Sequence, residues 1–291
     1  MASEPRLGLI GLGTMGWPMA ANLVKAGAEL TVYDLDVDRV STFASEHSCS
    51  GARQPADFAE SSIVITMLPD GHVVADVVRN WDGGLLDVLA PGSIILDMSS
   101  SSPGGTIELR EAANGHGLDV VDAPVSGGLP RAIDATLSIM VGADDQAFAK
   151  VESTLRTLGK SIFRTGPVGS GHAMKALNNV IAATAYAAVA EAIEVGRRYS
   201  LDPKTLVDVV NESTGRSFTS EVVFGQHVVP GTYATGFALG LLAKDAGIAA
   251  DMASAVDVDA PVLQLVAERW SAALAGTSFA ADHSRAHTAW W

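Results

Sequence analysis

The first half of the chain alternates short aliphatic runs with stretches of helical pattern. The runs rich in β-branched and aliphatic residues lie at 7–11, 29–34, 62–68, 93–98, 119–125 and 137–142, and the stretches between them include the amphipathic or alanine-rich segments 18–26 and 145–158. Strands and helices that alternate at this spacing are typical of a parallel β-sheet with helices on its faces. We therefore expect an α/β domain in this half.

The pattern changes near Thr165. From Gly169 onward strand signals end, and helical patterns follow at 170–199, 203–213, 218–228, 237–257, 261–275 and 282–289. We predict two domains, 1–165 and 166–291, the second all-helical and opened by a helix that at 1.5 Å per residue would be about 45 Å long. One small lobe cannot cover so long and apolar a helix. We expect it to pack on a second copy of the chain in a homodimer or homotetramer.

Composition narrows the class of protein. Hydrophobic residues make up 48% of the 291 residues and charged residues 18%, which is typical of a globular chain. The 33 acidic residues outnumber the 19 basic ones and give a net charge of −14. Nucleic acid binding relies on a basic surface, so we expect none. A small anionic substrate remains compatible with a few local donors.

Three features bear on location. Cys49 is the single cysteine and cannot form an intramolecular disulfide, so nothing indicates an oxidising compartment. The first residues, MASEPRLGLIGLG, carry charges before their apolar run and lack the pattern of a signal peptide. The apolar helix has an uncharged run at residues 180–190, before Glu191, that is shorter than the roughly 20 residues that a membrane span needs. We expect a cytoplasmic protein without a membrane span.

The segment GLGTMG follows the first predicted strand directly and precedes a helical pattern. A GxGxxG motif in this context is typical of a Rossmann dinucleotide-binding domain: Gly11 permits the tight turn, Gly13 lets a pyrophosphate approach the backbone, and Gly16 lets helix and strand pack closely. Thr14 and Met15 complete the loop, at a helix N-terminus that favours an anion. We expect all five residues to bind the cofactor.

Asp34 ends the second predicted strand, at the distance where a carboxylate accepts hydrogen bonds from an adenosine ribose. A carboxylate there repels a 2′-phosphate, so we expect NAD in preference to NADP. Arg39 keeps NADP open as an alternative, because its guanidinium could fold toward a phosphate.

Four segments run in order along nearly the whole chain: GLGTMGWPMAANL at 11–23, DAPVSGG at 122–128, GSGHAMKALNN at 169–179 and KDAGIA at 244–249. Together they resemble the β-hydroxyacid dehydrogenase family, which includes 3-hydroxyisobutyrate dehydrogenase, tartronate semialdehyde reductase and L-threonate dehydrogenase. The resemblance implies a dinucleotide domain followed by a helical domain that a long helix opens. It also implies hydride transfer between NAD(H) and a small β-hydroxy acid or its semialdehyde.

The resemblance implies roles for single residues as well. Lys175 corresponds to the family's catalytic lysine, and Asn179 to an asparagine that helps to hold the substrate. The loop that binds the substrate carboxylate corresponds to Ser126, Gly127 and Gly128, and Ser126 is also counted among the catalytic residues. Cofactor contacts are implied for Leu68, Pro69, Ser100 and Lys244. No metal site is expected.

Physical chemistry supports these roles. Lys175 and Asn179 are four residues apart on a predicted helix and share one face. Oxidation of a hydroxyl group by hydride transfer requires removal of its proton, and a lysine is suited to accept it where apolar surroundings lower its pKa from about 10.4. Ser126 and the two glycines after it offer a hydroxyl and backbone N–H groups to a carboxylate.

Some features depart from the family pattern or suggest other functions. Ser100 stands where threonine is usual and keeps a hydroxyl, and Ala135 replaces a common glycine with a consequence that the sequence does not reveal. Two alternatives stay open: imine reduction on the same scaffold, against which the lysine counts, and a non-catalytic nucleotide-binding module. His283 and His287 are spaced like a metal pair, but no third ligand is identifiable, and we expect solvated histidines.

Overall fold

The computed structural model describes residues 5–290 and contains, in that range, one β-sheet followed by a helical part. The strands are β1 Leu7–Ile10, β2 Leu30–Tyr33, β3 Ser50–Gly51, β4 Ile63–Thr66, β5 Ile94–Asp97, β6 Asp119–Asp122, β7 Val125–Ser126, β8 Leu137–Gly142 and β9 Gly159–Gly166. The α-helices are α1 Gly16–Lys25, α2 Val37–His47, α3 Gly71–Arg79, α4 Pro103–Asn114, α5 Gly128–Ile133, α6 Asp145–Leu158, α7 Ser170–Arg198, α8 Pro203–Asn211, α9 Leu239–Ala255 and α10 Pro261–Ala275. A π-helix spans Thr219–Val228, and 3-10 helices span Pro55–Phe58, Trp81–Gly83, Leu85–Asp87 and His283–Ala289.

Six strands of the sheet run parallel in the order β3-β2-β1-β4-β5-β6. The order reverses between β1 and β4, and open α/β sheets bind ligands at such a reversal, beyond the carboxyl ends of the strands. β8 pairs antiparallel with β6 and β7, and parallel with β9. The prediction of a Rossmann-type parallel sheet is confirmed.

The central strands are buried on both faces, which explains their continuous aliphatic runs. Successive side chains alternate between the faces. Leu9 and Ile65 pack with α1 and α6 on one face, and Ile10 and Val64 pack with α3 and α4 on the other. This burial fixes the strand ends, so the loops that follow β1, β4, β5 and β6 lie at one edge of the sheet.

The chain forms two compact units that divide between Lys175 and Ala176, within α7. The boundary predicted from the sequence lies before that helix. The first turn of α7 belongs with the sheet because the Asp122 carboxylate, at the end of β6, accepts hydrogen bonds from the backbone N–H groups of Gly169 and His172.

The second unit is helical over its described residues, 176–290, apart from an isolated β-bridge between Ala238 and Asp282. Its core is built around the rings of Tyr186, Phe224 and Trp270. Among the described helices, α7 is the one long and apolar enough to cross a membrane by length and composition, and 39% of its most apolar window is buried within this chain.

Several elements differ from the sequence-based expectation. The short strand β3 was not predicted, and the run predicted as one strand at 119–125 forms β6 and the start of β7. Strand β9 was not predicted. It is an edge strand that pairs with β8 alone among the described strands, and its side chains Lys160, Phe163 and Arg164 are exposed. It therefore lacks the aliphatic run that marks the buried strands. The segment predicted as a helix at 218–228 is helical, but its hydrogen bonds are those of a π-helix.

The expectation of solvated histidines near the C-terminus is wrong. His283 is 8% exposed, and its Nδ1 lies 2.9 Å from Thr235 Oγ1. His287 Nδ1 lies 2.8 Å from the Tyr186 hydroxyl, and burial lowers the pKa of both imidazoles. The two rings belong to the aromatic core of the second unit. Among residues 5–290, no three histidine, cysteine or carboxylate side chains group as metal ligands.

Candidate active site

The loop after β1 has the geometry of a dinucleotide-binding turn. Gly11 has a φ of +103°, and a Cβ there would lie 2.3 Å from the carbonyl oxygen of Met67. A Cβ on Gly16 would lie 1.8 Å from the Gly11 carbonyl oxygen, so only glycine lets α1 approach the loop this closely. A Cβ on Gly13 would meet nothing within 4 Å, which leaves the backbone at this position accessible to a ligand.

The N-terminus of α1 completes the turn. Thr14 is exposed, and Met15 is the N-cap residue, with no side-chain capping bond to any described residue. The backbone N–H groups at a helix N-terminus lack intrahelical partners, and the helix dipole there favours an anion. The glycine loop and this uncapped helix end together fit the pyrophosphate of a dinucleotide.

Asp34 lies just beyond β2, beside the glycine loop. Its Oδ2 accepts the Leu12 N–H at 2.7 Å and its Oδ1 accepts the Asp36 N–H at 2.9 Å. The Arg39 guanidinium lies 3.7 Å from the Asp34 carboxylate and 3.5 Å from that of Asp36. Arg39 is thus engaged with carboxylates, and Asp34 is held where it can accept hydrogen bonds from an adenosine ribose. This arrangement matches a preference for NAD.

The loops after β4 and β5 meet the glycine loop. A Cβ on Gly11 would lie 3.1 Å from Leu68 Cδ2, which places the Leu68 side chain against the turn. The Leu68 backbone N–H donates to Ser99 Oγ at 3.0 Å and joins the two loops. Pro69 is exposed and Ser100 is partly exposed at the same edge. The cofactor positions predicted after β1, β4 and β5 are therefore neighbours.

The loop after β7 carries the predicted carboxylate-binding residues. Ser126 pairs with Ser138 on β8. Gly127 and Gly128 have φ values of +133° and +68°, in the left-handed region that favours glycine. A Cβ on Gly127 would lie 2.4 Å from Arg131 Cδ, so the Arg131 side chain lies against this loop. Both glycines are exposed, and the loop backbone is accessible to a small anion.

Lys175 lies near the start of α7 and is partly exposed. It belongs to the same compact unit as the glycine loop and the Ser126 loop. Asp122, four residues before Ser126, bonds to the first turn of the helix that carries Lys175. The segments that hold Ser126 and Lys175, two of the three predicted catalytic positions, are thus joined by buried hydrogen bonds.

A second polar group occupies the second unit. Asn179, 7% exposed, donates from Nδ2 to Asp245 Oδ2 at 2.6 Å. Lys244 Nζ lies 3.1 Å from the other oxygen of Asp245. Asp245 is 1% exposed and orients the two predicted site residues at once. Sequence reasoning gave it no role, although the segment KDAGIA contains it.

Two family models match the chain in succession: the NAD binding domain of 6-phosphogluconate dehydrogenase over residues 6–166, and the NAD-binding domain of NADP-dependent 3-hydroxyisobutyrate dehydrogenase over residues 169–290. The 2-(hydroxymethyl)glutarate dehydrogenase of Eubacterium barkeri is 36% identical over 270 residues, which cover 92% of this chain and 89% of the relative. This chain belongs to the β-hydroxyacid dehydrogenase family.

Further relatives agree with the assignment to the β-hydroxyacid dehydrogenases. The NAD-dependent L-serine dehydrogenase of Pseudomonas aeruginosa is 36% identical over 264 residues, or 88% of each chain. The solved structure of Mycobacterium tuberculosis 3-hydroxyisobutyrate dehydrogenase with L-serine is similar with a TM-score of 0.88, at 31% identity and over 98% of each chain.

The protein is therefore an oxidoreductase with NAD as its cofactor. The resemblance inferred from four sequence segments is confirmed. The two alternatives, imine reduction and a non-catalytic nucleotide module, are not favoured, because the relatives above 30% identity named here are dehydrogenases of small hydroxy acids.

Proposed function

We propose that this protein oxidises the hydroxyl group of a small β-hydroxy acid with NAD, and reduces the corresponding semialdehyde in the reverse direction. One observation carries the proposal: the glycine loop, the Ser126 loop and Lys175 belong to one compact unit, in which the Asp122 carboxylate joins the segment that leads to Ser126 to the first turn of the helix that carries Lys175. That arrangement provides a cofactor site, a carboxylate site and a proton acceptor.

The proposed reaction assigns one task to each group. A bound NAD would supply the acceptor for the hydride ion that leaves the substrate carbon. The Lys175 amine accepts the proton of the substrate hydroxyl as the carbonyl forms, and donates it in reverse. Ser126 and the backbone of the two following glycines bind the substrate carboxylate. Asn179, oriented by Asp245 and one helical turn from Lys175, holds the reacting oxygen.

The substrate class follows from what the relatives' substrates share. 2-(Hydroxymethyl)glutarate, 3-hydroxyisobutyrate and L-serine each carry a hydroxymethyl group on the carbon that bears a carboxylate. They differ in the third substituent of that carbon. We infer a substrate of the form HOCH2–CHR–COO⁻ for this chain, with R selected by pocket shape.

A substrate panel tests the proposal. NADH formation at alkaline pH would be compared for 3-hydroxyisobutyrate, L-serine, 2-(hydroxymethyl)glutarate, glycerate and L-threonate, with NAD and NADP in parallel and a cyclic imine in the reductive direction. We expect one hydroxymethyl acid to give the highest kcat/KM, with NAD ahead of NADP. A protein that binds NADH yet oxidises none of these acids, or that reduces the imine faster, would contradict the proposal.

We also propose that the protein is a cytoplasmic homo-oligomer that binds neither nucleic acid nor membrane. Met174, Ile181 and Val195 stand at multiples of seven residues on α7 and are 45%, 69% and 57% exposed. A repeated apolar face of this kind suits packing on a second helix. The net charge of −14 supports the absence of nucleic acid binding, and the single cysteine agrees with a reducing compartment.

A further inference from the structure

A group of ionisable side chains is buried beneath the first turn of α7, outside the chemistry described above. The side chains of Asp97 and His172 are 2% and 0% exposed, and that of Asp122 is 0% exposed. Buried ionisable groups cost free energy unless other groups pair with them. Their contacts indicate what this group stabilises.

Asp122 holds the start of α7. Its Oδ1 accepts the Gly169 N–H at 2.7 Å, and its Oδ2 accepts the His172 N–H at 2.8 Å. Amides at a helix start lack intrahelical partners, so a carboxylate from β6 serves here as the cap. A Cβ on Gly171 would lie 2.8 Å from Oδ2, and one on Gly142 would lie 2.3 Å from Oδ1. The backbone therefore encloses this carboxylate closely on two sides.

The imidazole of His172 links α7 to α4, because its Nδ1 lies 2.7 Å from Thr106 Oγ1. Its Nε2 lies 3.7 Å from Asp97 Oδ2 at the end of β5 and has no hydrogen-bond partner among the described residues. The Thr106 hydroxyl also donates to the Ser102 carbonyl at 3.0 Å, so its oxygen is left to accept a hydrogen bond from the Nδ1–H group. This hydrogen-bond pattern assigns a donor role to Nδ1.

Asp97 is itself held in place. Its Oδ1 accepts hydrogen bonds from Thr66 Oγ1 and the Ser99 N–H, and its Oδ2 accepts one from Ser101 Oγ at 2.9 Å. The His172 ring thus lies against a fixed carboxylate. Burial raises the pKa of the Asp122 carboxyl, while the nearby His172 and the two backbone donors oppose that rise.

We propose that Asp122 and His172 are positioning residues: a buried clamp that fixes the first turn of α7, and with it Lys175, relative to the segment that ends in Ser126. Lys175 lies three residues beyond His172, and Ser126 four residues beyond Asp122. A displacement of about 1 Å in a reacting group can cost about 100-fold in rate. The clamp rests on the proposed role of Lys175, and it adds Asp122 and His172 as the residues that fix the position of that lysine.

Kinetics of three variants test the clamp. Asp122→Asn would set an amide N–H against one of the two backbone donors, and we expect kcat per NADH-binding site to fall about 10- to 100-fold. The Kd for NADH would stay within about twofold, because the glycine loop is on other strands. We expect His172→Leu to lower kcat by a similar factor. His172→Gln keeps a hydrogen-bond donor for Thr106, and its kcat should lie between those of His172→Leu and the wild type.

A matched destabilised variant separates positioning from folding. Val151→Ala removes core volume on α6, where Val151 is 0% exposed, and would lower Tm without moving α7. We expect its kcat per NADH-binding site to equal that of the wild type. If Asp122→Asn and His172→Leu also lower only Tm and the yield of folded protein, the residues are structural and the clamp is overturned.

Hydrogen exchange tests the clamp without turnover. In Asp122→Asn we expect the amides of residues 169–175 to exchange at least about tenfold faster than in the wild type, because the first turn opens locally. Unchanged exchange in this segment would overturn the clamp whatever the activity. A wild-type protein without dehydrogenase activity, combined with the expected exchange, would overturn the proposed function and leave the clamp as a structural tether.

Discussion

Lys175 is the residue on which the proposed reaction depends most directly. Positioned general acid–base groups contribute about 10²- to 10⁴-fold to rates, so Lys175→Ala should lower kcat by that range at neutral pH. NADH affinity should change little, because the glycine loop and Asp34 are intact. Steady-state turnover and a fluorescence titration with NADH measure the two quantities.

An exposed lysine gives the matched control for this prediction. Lys160 lies on β9 in the same unit and is exposed, so Lys160→Ala removes the same charge and should leave kcat unchanged. Turnover by Lys175→Ala at the wild-type rate would exclude the lysine as the proton acceptor. The Asn179–Asp245 pair would then be the next group to examine.

Ala135 has a backbone conformation that explains why glycine is common there in the family. Its φ is +53°, and the Thr136 N–H donates to the Arg131 carbonyl at 2.9 Å across it, as in a Schellman motif at the end of α5. The left-handed conformation costs a residue other than glycine about 1–2 kcal/mol. Glycine also gains entropy in the unfolded state, which offsets part of the strain that the substitution relieves. Ala135→Gly should therefore stabilise the fold by a net of about 0.5–1 kcal/mol.

Urea unfolding of the two proteins measures this difference. Ala149→Gly is the control, because Ala149 is an exposed residue within α6, where glycine should cost about 1 kcal/mol. Equal destabilisation by both substitutions would show that Ala135 carries no conformational strain.

At the scale of elements, the two buried histidines of the C-terminal 3-10 helix His283–Ala289 should make the stability of the fold depend on pH. Burial lowers the pKa of His283 and His287 below the ordinary value of 6.5. Between 6.5 and the lower folded-state values the unfolded chain binds more protons than the folded one, so stability falls as pH drops below about 6.5. The free energy of unfolding should therefore be smaller at pH 5.5 than at pH 7.5.

A single substitution attributes this dependence to the buried rings. His287→Gln removes one of the two titrating groups and should flatten the pH dependence of the free energy of unfolding. His116→Gln removes a more exposed histidine, 41% exposed in its side chain, and should retain the dependence. A wild-type protein equally stable at pH 5.5 and pH 7.5 would contradict the assignment.

The sequence predicted those elements whose signal is local. Buried strands show aliphatic runs, and the spacing of the glycine motif predicts a role for each glycine. Gly11, Gly13 and Gly16 have the surroundings that these roles require. Partners distant in sequence left no such signal. Asn179 and Asp245 are 66 residues apart and Asp122 and His172 are 50 apart. All four residues lie within the motif segments quoted from the sequence, yet only the folded chain shows which side chains meet.

At the scale of the whole molecule, helix α7 contributes both to the proposed active site and to the proposed interface with a second copy of the chain. One helix carries Lys175 and Asn179 as well as the exposed apolar residues proposed to meet a second copy. An exposed apolar face in water favours association. We expect the 30.0 kDa chain to elute as a dimer or tetramer in size-exclusion chromatography with light scattering.

Ile181→Glu tests which face associates. Ile181 is 69% exposed in the single chain, and a carboxylate buried there in an interface would be costly, so this variant should dissociate to monomers. Val209 on α8 is 59% exposed, and Val209→Glu adds the same charge away from α7 and should remain oligomeric. Oligomers that persist in Ile181→Glu would assign the interface to another surface. A wild-type monomer that partitions into lipid vesicles would instead support membrane contact by this helix, because α7 is the described helix whose length and composition permit it.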